Sequence, residues 1–350
     1  MLFNLESDTG TTVSWYLVPD GYSAVPQAVI CDGDRPLLQL AATDARAALV
    51  VAGRHETGLC GFLIDETMVP GLTEIGDLRI YDQESGLLVY RRPGELQIRR
   101  KVVRLETHLF PLWRLDDAIK WRFQHNARGV EAYGRETVTQ LMQLNDVTSS
   151  YISGRFLFKN YAYYLDSVFE MFAIIHDPYA ELAERLLVLS RVSQSGLDFL
   201  GARDSVHYEA AVEFAAELPF QDQKGLKRAL KSMPSDVAST LTNPLVRQLT
   251  AATPDEMPSG GAVASALDAL ASFKFVGTRA DSSGIKAALS EFLPVDPVDL
   301  PPFADFSLGQ IVAGTLREVG AIESLLEMDL EIYHVLEEAQ RRATALEVVE

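Results

Sequence analysis

The sequence predicts an α/β domain preceded by a smaller β-rich module. Residues 10–95 alternate short segments rich in β-branched and aromatic side chains with Gly, Pro and Asp turn signals, which is typical of antiparallel strands. Further along, the uninterrupted apolar segment 171–175 runs directly into an amphipathic stretch, the pattern of a buried parallel strand followed by a helix. Residues 92–95, Arg-Pro-Gly-Glu, separate the two patterns, so we predict domains at 1–95 and 96–350.

The charge balance limits the partners of this protein. The 350 residues include 31 Lys and Arg against 49 Asp and Glu, a formal net charge of −18. A field of that sign repels nucleic acid and anionic lipid surfaces, so we expect neither as a partner. No apolar run reaches the roughly 18–20 residues that a membrane-spanning helix needs, and residues 1–8 lack the pattern of a signal peptide. We therefore expect no membrane span and a cytoplasmic location.

Two cysteines, Cys31 and Cys60, both fall in the first module. In a cytoplasmic protein of this size they are expected as buried free thiols, with one disulfide between them as the alternative. Their spacing argues against a zinc site, and we predict no bound metal.

Five strands are predicted in the first module. They are placed at 11–18, 27–31, 59–64, 76–81 and 86–90. Their spacing, interrupted by one short helix near 42–52, predicts a small sandwich or barrel. The stretch Asp44-Ala45-Arg46-Ala47-Ala48-Leu49, followed by Gly53 and Gly61-Phe62, resembles small β-modules attached to bacterial surface-polysaccharide enzymes. That resemblance implies that the module binds carbohydrate or a partner.

The second domain alternates predicted strands and helices. Strands are placed at 98–109, 171–175 and 273–277, and helices at 113–123, 134–144, 179–193 and 316–349. A proline-rich connector at 294–302 precedes the last helices. The long C-terminal helix carries charged residues on one side and Ile, Leu and Val on the other. It therefore either packs against its own domain or forms a homodimer interface.

Five short segments of the second domain occur in the order found in carbohydrate sulfotransferases. They are Gly154-Arg155, His176-Asp177-Pro178, 243–249, Val276-Gly277 and 329–333. The family motifs at these places read Gly-His, Arg-Asp-Pro, Asn-x-x-x-Arg-x-Leu, Val-Gly-Leu-x-Glu and Asp-x-x-x-Tyr. Residues 100–340 therefore resemble the P-loop sulfotransferases, and the resemblance implies a three-layer α/β fold.

The resemblance also implies a chemistry. Sulfotransferases transfer a sulfuryl group from 3′-phosphoadenylyl sulfate to a hydroxyl or an amine, and a loop with glycine and lysine after the first strand holds the 5′-phosphosulfate. Such a loop works because backbone N–H groups and a cation surround the anion. In this chain the matching loop, 106–114, has neither glycine nor lysine, and Glu106 places a carboxylate there. His176 replaces the arginine of Arg-Asp-Pro, and Glu184 replaces the serine that binds the 3′-phosphate.

Six residues are candidates for a site if the chain is active. Catalysis is assigned to His108, Arg155 and His176, and donor contacts are assigned to Arg104, Thr107 and Arg247. His108 and His176 each follow a predicted strand, so they are expected to face each other. Alternatively, His176 is a structural histidine at a helix start, Arg155 pairs with Asp177, and Arg247 braces a loop.

Three functions stay open from the sequence. We favour a sulfotransferase-like pseudoenzyme without normal donor binding and without a cofactor, which binds a carbohydrate or a protein partner linked to bacterial surface polysaccharide. The first alternative is an active sulfotransferase, or another transferase, with an atypical donor site and 3′-phosphoadenylyl sulfate as cofactor. The second alternative is a structural or assembly protein that uses the β-rich module as its contact surface.

Overall fold

The computed structural model describes residues 1–195, 200–303 and 306–347. The chain folds into two compact units. The first unit consists of Met1–Lys101, Ile119–Arg128 and Tyr133–Ile152, and the second of Val102–Ala118, Gly129–Ala132 and Ser153–Glu350. The first segment therefore ends six residues beyond the predicted boundary at 95, and two later segments join it.

Two antiparallel sheets form the β-rich part of the first unit. Its strands are β1 Leu2–Asp8, β2 Thr12–Val18, β3 Gln27–Asp32, β4 Arg35–Ala41, β5 Asp44–Ala45, β6 Leu59–Asp65, β7 Leu78–Asp82 and β8 Leu88–Arg91, with a short helix α1 at Ala47–Val51. One sheet has the order β1-β2-β6-β5 and the other the order β4-β3-β7-β8. Every neighbouring pair in these two sheets is antiparallel.

Alternating burial explains these strands. On β2, Val13, Trp15 and Leu17 are fully buried, and Trp15 stacks on Phe62 of β6 with ring centroids 4.9 Å apart. All five strands predicted for the module are confirmed to within about two residues. The additional strands β1 and β4 were not predicted, because a Glu-Ser-Asp end and an Arg-Pro start weaken their β-patterns. The two-residue strand β5 was also not predicted, and it occupies the start of the segment 42–52 that was predicted as a helix. Both thiols are buried and free, as expected.

A five-stranded parallel sheet confirms the α/β class. It contains β9 Lys101–Leu105, β10 His125–Arg128, β11 Ser150–Gly154, β12 Glu170–Ile175 and β13 Phe275–Thr278. The order is β10-β11-β9-β12-β13, and β12 pairs in parallel with both β9 and β13. The first strand of this sheet thus lies at its centre, and later strands add on either side. Sheets with such a change of direction bind ligands outside the carboxyl ends of their strands.

Thirteen further α-helices lie within the described ranges. They are α2 Trp113–Ile119, α3 Arg135–Met142, α4 Ala162–Leu165, α5 Pro178–Ser195, α6 Ala202–His207, α7 Glu209–Ala216, α8 Gln223–Lys231, α9 Ser235–Leu241, α10 Pro244–Thr250, α11 Ala262–Ala271, α12 Ser282–Phe292, α13 Ser307–Arg317 and α14 Gly320–Glu347. Helix α5 packs against α7 and α13, and its Leu182, Leu186 and Leu189 are buried in an apolar cluster. Within these ranges, no helix has both the length and the apolar character that crossing a bilayer requires.

Two predicted boundaries were wrong. The C-terminal helix does not start at 316, because α13 ends at Arg317 and the chain bends before α14 begins at Gly320; the predicted end at 349 lies outside the described residues. The strand predicted at 98–109 is shorter than expected. It ends at Leu105, because the chain then turns into a loop in which the side chain of Glu106 accepts the backbone N–H groups of His108 and Leu112.

Candidate functional site

The candidate site is built at the carboxyl ends of the parallel strands. Arg155, His176 and Arg279 follow β11, β12 and β13 directly, and Thr107 lies two residues beyond β9. The backbone N–H of Glu106 donates to the carbonyl of Gly154 at 3.0 Å, so the ends of β9 and β11 lie side by side. The N–H of Arg279 donates to the carbonyl of Ile175 at 2.9 Å, which joins the ends of β13 and β12 in the same way.

The loop after β9 is occupied by the carboxylate of its own Glu106. Glu106 Oε1 accepts the backbone N–H of His108 at 3.1 Å and the ring Nδ1–H of His108 at 2.6 Å. Glu106 Oε2 accepts the backbone N–H of Leu112 at 2.7 Å and a guanidinium N–H of Arg104 at 2.6 Å. Burial acts to raise the pKa of Glu106, but the charge of Arg104 and the hydrogen bond from His108 hold it well below its ordinary value. The carboxylate is therefore ionised.

A second carboxylate fills the same loop from helix α5. Glu181 Oε1 accepts the backbone N–H of Leu109 at 3.0 Å and a guanidinium N–H of Arg185 at 3.0 Å. Three backbone donors of the loop, at residues 108, 109 and 112, therefore bind carboxylates of this chain. These are the kind of groups that hold phosphate in a glycine-rich loop.

Arg104, which was predicted to contact the sulfuryl-donor nucleotide, lies in the core of the second unit. Its side chain is 1% exposed. It donates two hydrogen bonds to Asp116 Oδ1 and one, at 2.9 Å, to Asp116 Oδ2, in addition to its bond to Glu106. Arg104 therefore bridges two buried carboxylates, Glu106 and Asp116.

The two candidate histidines face each other, as expected. The rings of His108 and His176 lie 6.0 Å apart between centroids and are tilted by 46°. Both are buried, and His176 Nδ1 accepts the backbone N–H of Asp177 at 3.0 Å. His108 Nε2 has no hydrogen-bond partner among the described residues. The pair is placed where a base could act, but within the protein interior.

Glu184 and Arg279 neutralise each other beside His176. Glu184 accepts two guanidinium N–H groups of Arg279, at 3.0 and 3.3 Å, and its Oε1 lies 3.6 Å from His176 Nε2. Burial acts to raise the pKa of Glu184, whereas the neighbouring His176 and the charge of Arg279 lower it below the ordinary value. The position that the resemblance assigns to 3′-phosphate binding thus holds an internal ion pair.

Asp177 caps α5, but it does not pair with Arg155. Its Oδ1 accepts the backbone N–H of Ala180 at 2.9 Å, as the Asp-Pro pattern predicts, and a guanidinium N–H of Arg317 at 2.8 Å. Arg155 instead donates to Asp204 Oδ2 at 2.5 Å. The predicted Arg155–Asp177 pair was wrong, because α6 brings a nearer carboxylate to Arg155.

An aromatic cleft of about 430 Å³ opens beside the loop. We define the aromatic cleft by the residues Phe110, Trp113, Pro302, Phe303 and Phe306; the charged residues Arg114, Glu184 and Arg279 also line it. The rings of Phe110 and Trp113 lie 5.4 Å apart, and those of Phe110 and Phe306 lie 6.0 Å apart in an edge-on arrangement. Mostly apolar walls with a few charged groups are typical of small-molecule sites.

An arginine cavity of about 100 Å³ brings together three of the six candidates. It is lined by Thr107, Arg155 and Arg247 together with Arg185, Arg203 and His207. Arg247 braces a loop, as one of our two interpretations expected. It donates to the carbonyl of Ser239 at 2.7 Å and to that of Thr240 at 3.1 Å, and also to that of Pro254. Neither His108 nor His176 is among the residues that line this cavity.

Two of the segments that carry the family resemblance bind each other. Asp329 on α14 accepts the backbone N–H groups of Leu245 and Val246, at 3.0 and 2.9 Å, at the start of α10. In return, Asn243 Oδ1 accepts the backbone N–H groups of Met328 and Asp329. Both side chains therefore serve the docking of α10 on α14.

Three comparisons with known proteins find no match for this chain, whether with protein-family models, curated proteins or solved structures. In the part of the chain that the structure describes, no group of three His, Cys, Asp or Glu side chains is arranged to hold a metal ion.

Four residues of the site were missed by the sequence analysis. They are Glu181, Arg185, Arg203 and Asp204. The Glu181–Arg185 pair carried a signal, because carboxylate and guanidinium four residues apart on a helix lie on one face. Arg203 and Asp204 carried none, since only the fold brings α6 to the end of β11.

Proposed function

We propose that the chain is a sulfotransferase-like protein that has lost the binding of 3′-phosphoadenylyl sulfate. We further propose that it binds a carbohydrate or a protein partner linked to bacterial surface polysaccharide. One observation supports the loss above all: the N–H donors of the loop after β9 already bind the carboxylates of Glu106 and Glu181. The residues present do not fit the donor nucleotide.

The negative charge of Glu106 opposes the binding of a phosphosulfate to this loop. Bringing a second anion next to the ionised, buried Glu106 costs far more than the same approach in water, because the Coulomb energy grows as the effective dielectric constant falls. Displacing the carboxylate would instead take the buried charge of Glu106 away from the Arg104 guanidinium and the loop N–H groups that stabilise it. Either route opposes donor binding at this place.

The aromatic cleft supports the binding part of the proposal. Its volume of about 430 Å³ lies in the range of small-molecule sites, about 300–1,000 Å³. Glu184 and Arg279 neutralise each other there, which leaves the exposed Arg114 as a poor match for the several phosphate charges of a nucleotide. Aromatic walls of this kind suit a neutral, partly apolar ring such as a sugar.

One observation favours the alternative of an active transferase. His108 is held by Glu106 through Nδ1, while its Nε2 has no hydrogen-bond partner among the described residues. A carboxylate–histidine pair of this type can act as a general base when an acceptor hydroxyl reaches the free nitrogen. Exposure of only 1% keeps solvent from His108 as it stands.

The test is the thermal stability of the full chain with 3′-phosphoadenosine 5′-phosphate, the product nucleotide. A true ligand at about a hundred times its Kd would stabilise the fold by roughly 2.7 kcal/mol, with each kcal/mol raising Tm by about 2–4 °C. We expect the nucleotide to give no shift beyond that produced by the same concentration of inorganic phosphate.

Two controls, inorganic phosphate and the variant Arg203→Glu, show where a shift in Tm originates. Arg203→Glu alters the arginine cavity and leaves the loop after β9 untouched, so it removes any shift that arises from a phosphate held in that cavity. A nucleotide shift that exceeds the phosphate shift and survives Arg203→Glu would show a rebuilt donor site. That result would replace the proposal by the transferase alternative.

A further inference from the structure

The arginine cavity brings four guanidinium groups together in a strongly acidic protein. Arg155 follows β11, Arg185 lies on α5, Arg203 on α6 and Arg247 on α10. The chain as a whole carries a formal charge of −18. Like charges brought together in a partly buried space repel one another, so a cluster of this kind needs a compensating anion.

The protein's own carboxylates compensate this cluster only in part. Arg155 binds Asp204 at 2.5 Å and lies 3.6 Å from Glu131. Arg185 binds Glu181 at 3.0 Å. Burial raises the pKa of Glu131, which favours its neutral form over the charged one.

Two of the four arginines have no acidic partner in the described ranges. Neither Arg203 nor Arg247 has a carboxylate oxygen of any described residue within 4.0 Å. Arg203 is exposed at the rim of the cavity, whereas Arg247 is 7% exposed and donates to backbone carbonyl groups. Asp255 and Asp329 act on Arg247 only from a greater distance, so no carboxylate of the described residues forms an ion pair with either of these two guanidinium groups.

A buried donor of the cluster also lacks an acceptor. Arg185 is 4% exposed, and its two terminal nitrogens donate to Glu181 and to the hydroxyl of Tyr208. Its Nε has no hydrogen-bond partner among the described residues. A buried guanidinium N–H without an acceptor is unfavourable, and an oxygen atom in the cavity would satisfy it.

The size of the cavity selects the ligand group. A volume of about 100 Å³ is well below the roughly 300–1,000 Å³ of sites that enclose a whole small molecule. One tetrahedral oxyanion group fits such a space, with the rest of its ligand outside.

We propose that the arginine cavity binds the sulfate or phosphate group of a ligand. Guanidinium groups donate paired hydrogen bonds to such oxyanions, and Arg185, Arg203 and Arg247 surround the space from three different helices. The side chain of Tyr208 also lines the cavity. The proposal does not rest on the proposed function, because the aromatic cleft shares no lining residue with the arginine cavity.

The experiment is isothermal titration calorimetry on the full chain at constant ionic strength. Inorganic sulfate, inorganic phosphate, glucose 6-sulfate and glucose 6-phosphate are titrated in turn, so that the tightest of the four identifies the source of the oxyanion. We expect at least one to bind with a Kd of about 1 mM or below, and glucose itself not to bind in this way.

Matched charge reversals locate the binding. Arg203→Glu changes an exposed residue at the rim, and we expect it to weaken binding at least about tenfold. Arg191→Glu makes the same charge change at an exposed position on α5 outside the cavity, and we expect less than about a twofold effect. Arg185→Lys keeps the charge but removes the Nε donor, and it too should weaken binding.

Two results would overturn the proposal. One is the absence of binding by all four anions at about 10 mM, a concentration at which even millimolar sites fill. The other is an equal loss of affinity in Arg203→Glu and Arg191→Glu, which would show that the overall charge, and not the cavity, attracts the anion. Both variants change exposed side chains, so we expect both proteins to fold and their affinities to be directly comparable.

Discussion

Asp329 holds α10 against α14 and also makes the stability of the fold depend on pH. It is a buried carboxylate on α14 whose two oxygens accept the first N–H groups of α10. Burial raises the pKa of Asp329 to about 6, although these two bonds act to lower it. Because the folded pKa lies above the ordinary value of 3.8, this carboxyl group favours the folded state in its protonated form.

The first prediction follows from the direction of this pKa shift, which is upward in the folded protein. The contribution of Asp329 is fully present below about pH 4 and is lost as the pH rises through about 6. In Asp329→Asn this dependence disappears. Between about pH 4.5 and pH 7.5, the unfolding free energy of the wild type should therefore fall by roughly 2 kcal/mol relative to that of the variant.

Urea unfolding of both proteins across this pH range measures the difference. Comparing the two curves cancels the titration of every group that they share, including His125, whose pKa burial lowers to about 4. Parallel curves would contradict the raised pKa of Asp329. A difference that widens as the pH falls, with the variant becoming the more stable protein in acid, would contradict its sign.

At the scale of elements, the sequence predicted strands and helices better than loops. The apolar run before His176 and the periodicity of α5 are local signals, and both elements are where they were expected. The loop after β9 was predicted to be unsuited to phosphate from its lack of glycine and lysine and from Glu106. Its second carboxylate was not foreseen, because Glu181 lies 72 residues away from the Leu109 N–H that it accepts.

The aromatic cleft is built from one such loop and a proline-rich segment, and it carries the second prediction. Trp113→Ala removes a half-buried ring from the cleft wall. We expect binding of oligosaccharides derived from bacterial surface polysaccharide to weaken by about tenfold or more, as for other aromatic anchors. A glycan array followed by calorimetry on the best ligand measures this effect.

Tyr163→Ala is the matched control for the cleft. Tyr163 is an aromatic residue that is 89% exposed and does not line the cleft, so its removal should leave the affinity unchanged. Equal affinities for Trp113→Ala and the wild type would place the sugar elsewhere. If no oligosaccharide on the array binds, the carbohydrate part of the proposed function is wrong.

At the scale of the whole molecule, the chain passes between its two units five times. The crossings follow Lys101, Ala118, Arg128, Ala132 and Ile152. The Pro-Gly boundary at 93–94 was a reasonable prediction, since a change of residue pattern is what sequence reveals. Sequence pattern does not reveal that a segment returns to an earlier unit, because such a return depends on long-range contacts.

Those returning segments complete the first unit, and this leads to the third prediction. His125 Nε2–H donates to the carbonyl of Leu88 at 2.8 Å, and Gln140 donates to the carbonyl of Phe3 at 3.0 Å. The guanidinium of Arg79 lies 3.9 Å from the ring centroid of Trp121. A fragment of residues 1–95 lacks all three partners, and we expect it to lose cooperative unfolding.

Near-ultraviolet circular dichroism and thermal unfolding of the fragment, beside the full chain, check this expectation. A fragment of residues 1–95 that unfolds cooperatively would contradict it and would show an independent module. Otherwise the alternative of an assembly protein must be tested on the full chain, with substitutions on the exposed faces of the two antiparallel sheets.

The carboxylate of Glu106 has one last consequence. Glu106 belongs to the same loop as the N–H groups of His108 and Leu112 that its carboxylate accepts. The effective concentration of the carboxylate at these groups is therefore set by the fold, whereas that of a free ligand depends on its concentration in the cell. A protein whose loop N–H groups bind a nucleotide has a free energy of unfolding that rises and falls with the concentration of that nucleotide. In this chain the loop N–H groups bind a side chain of the same loop, so their order does not require a nucleotide.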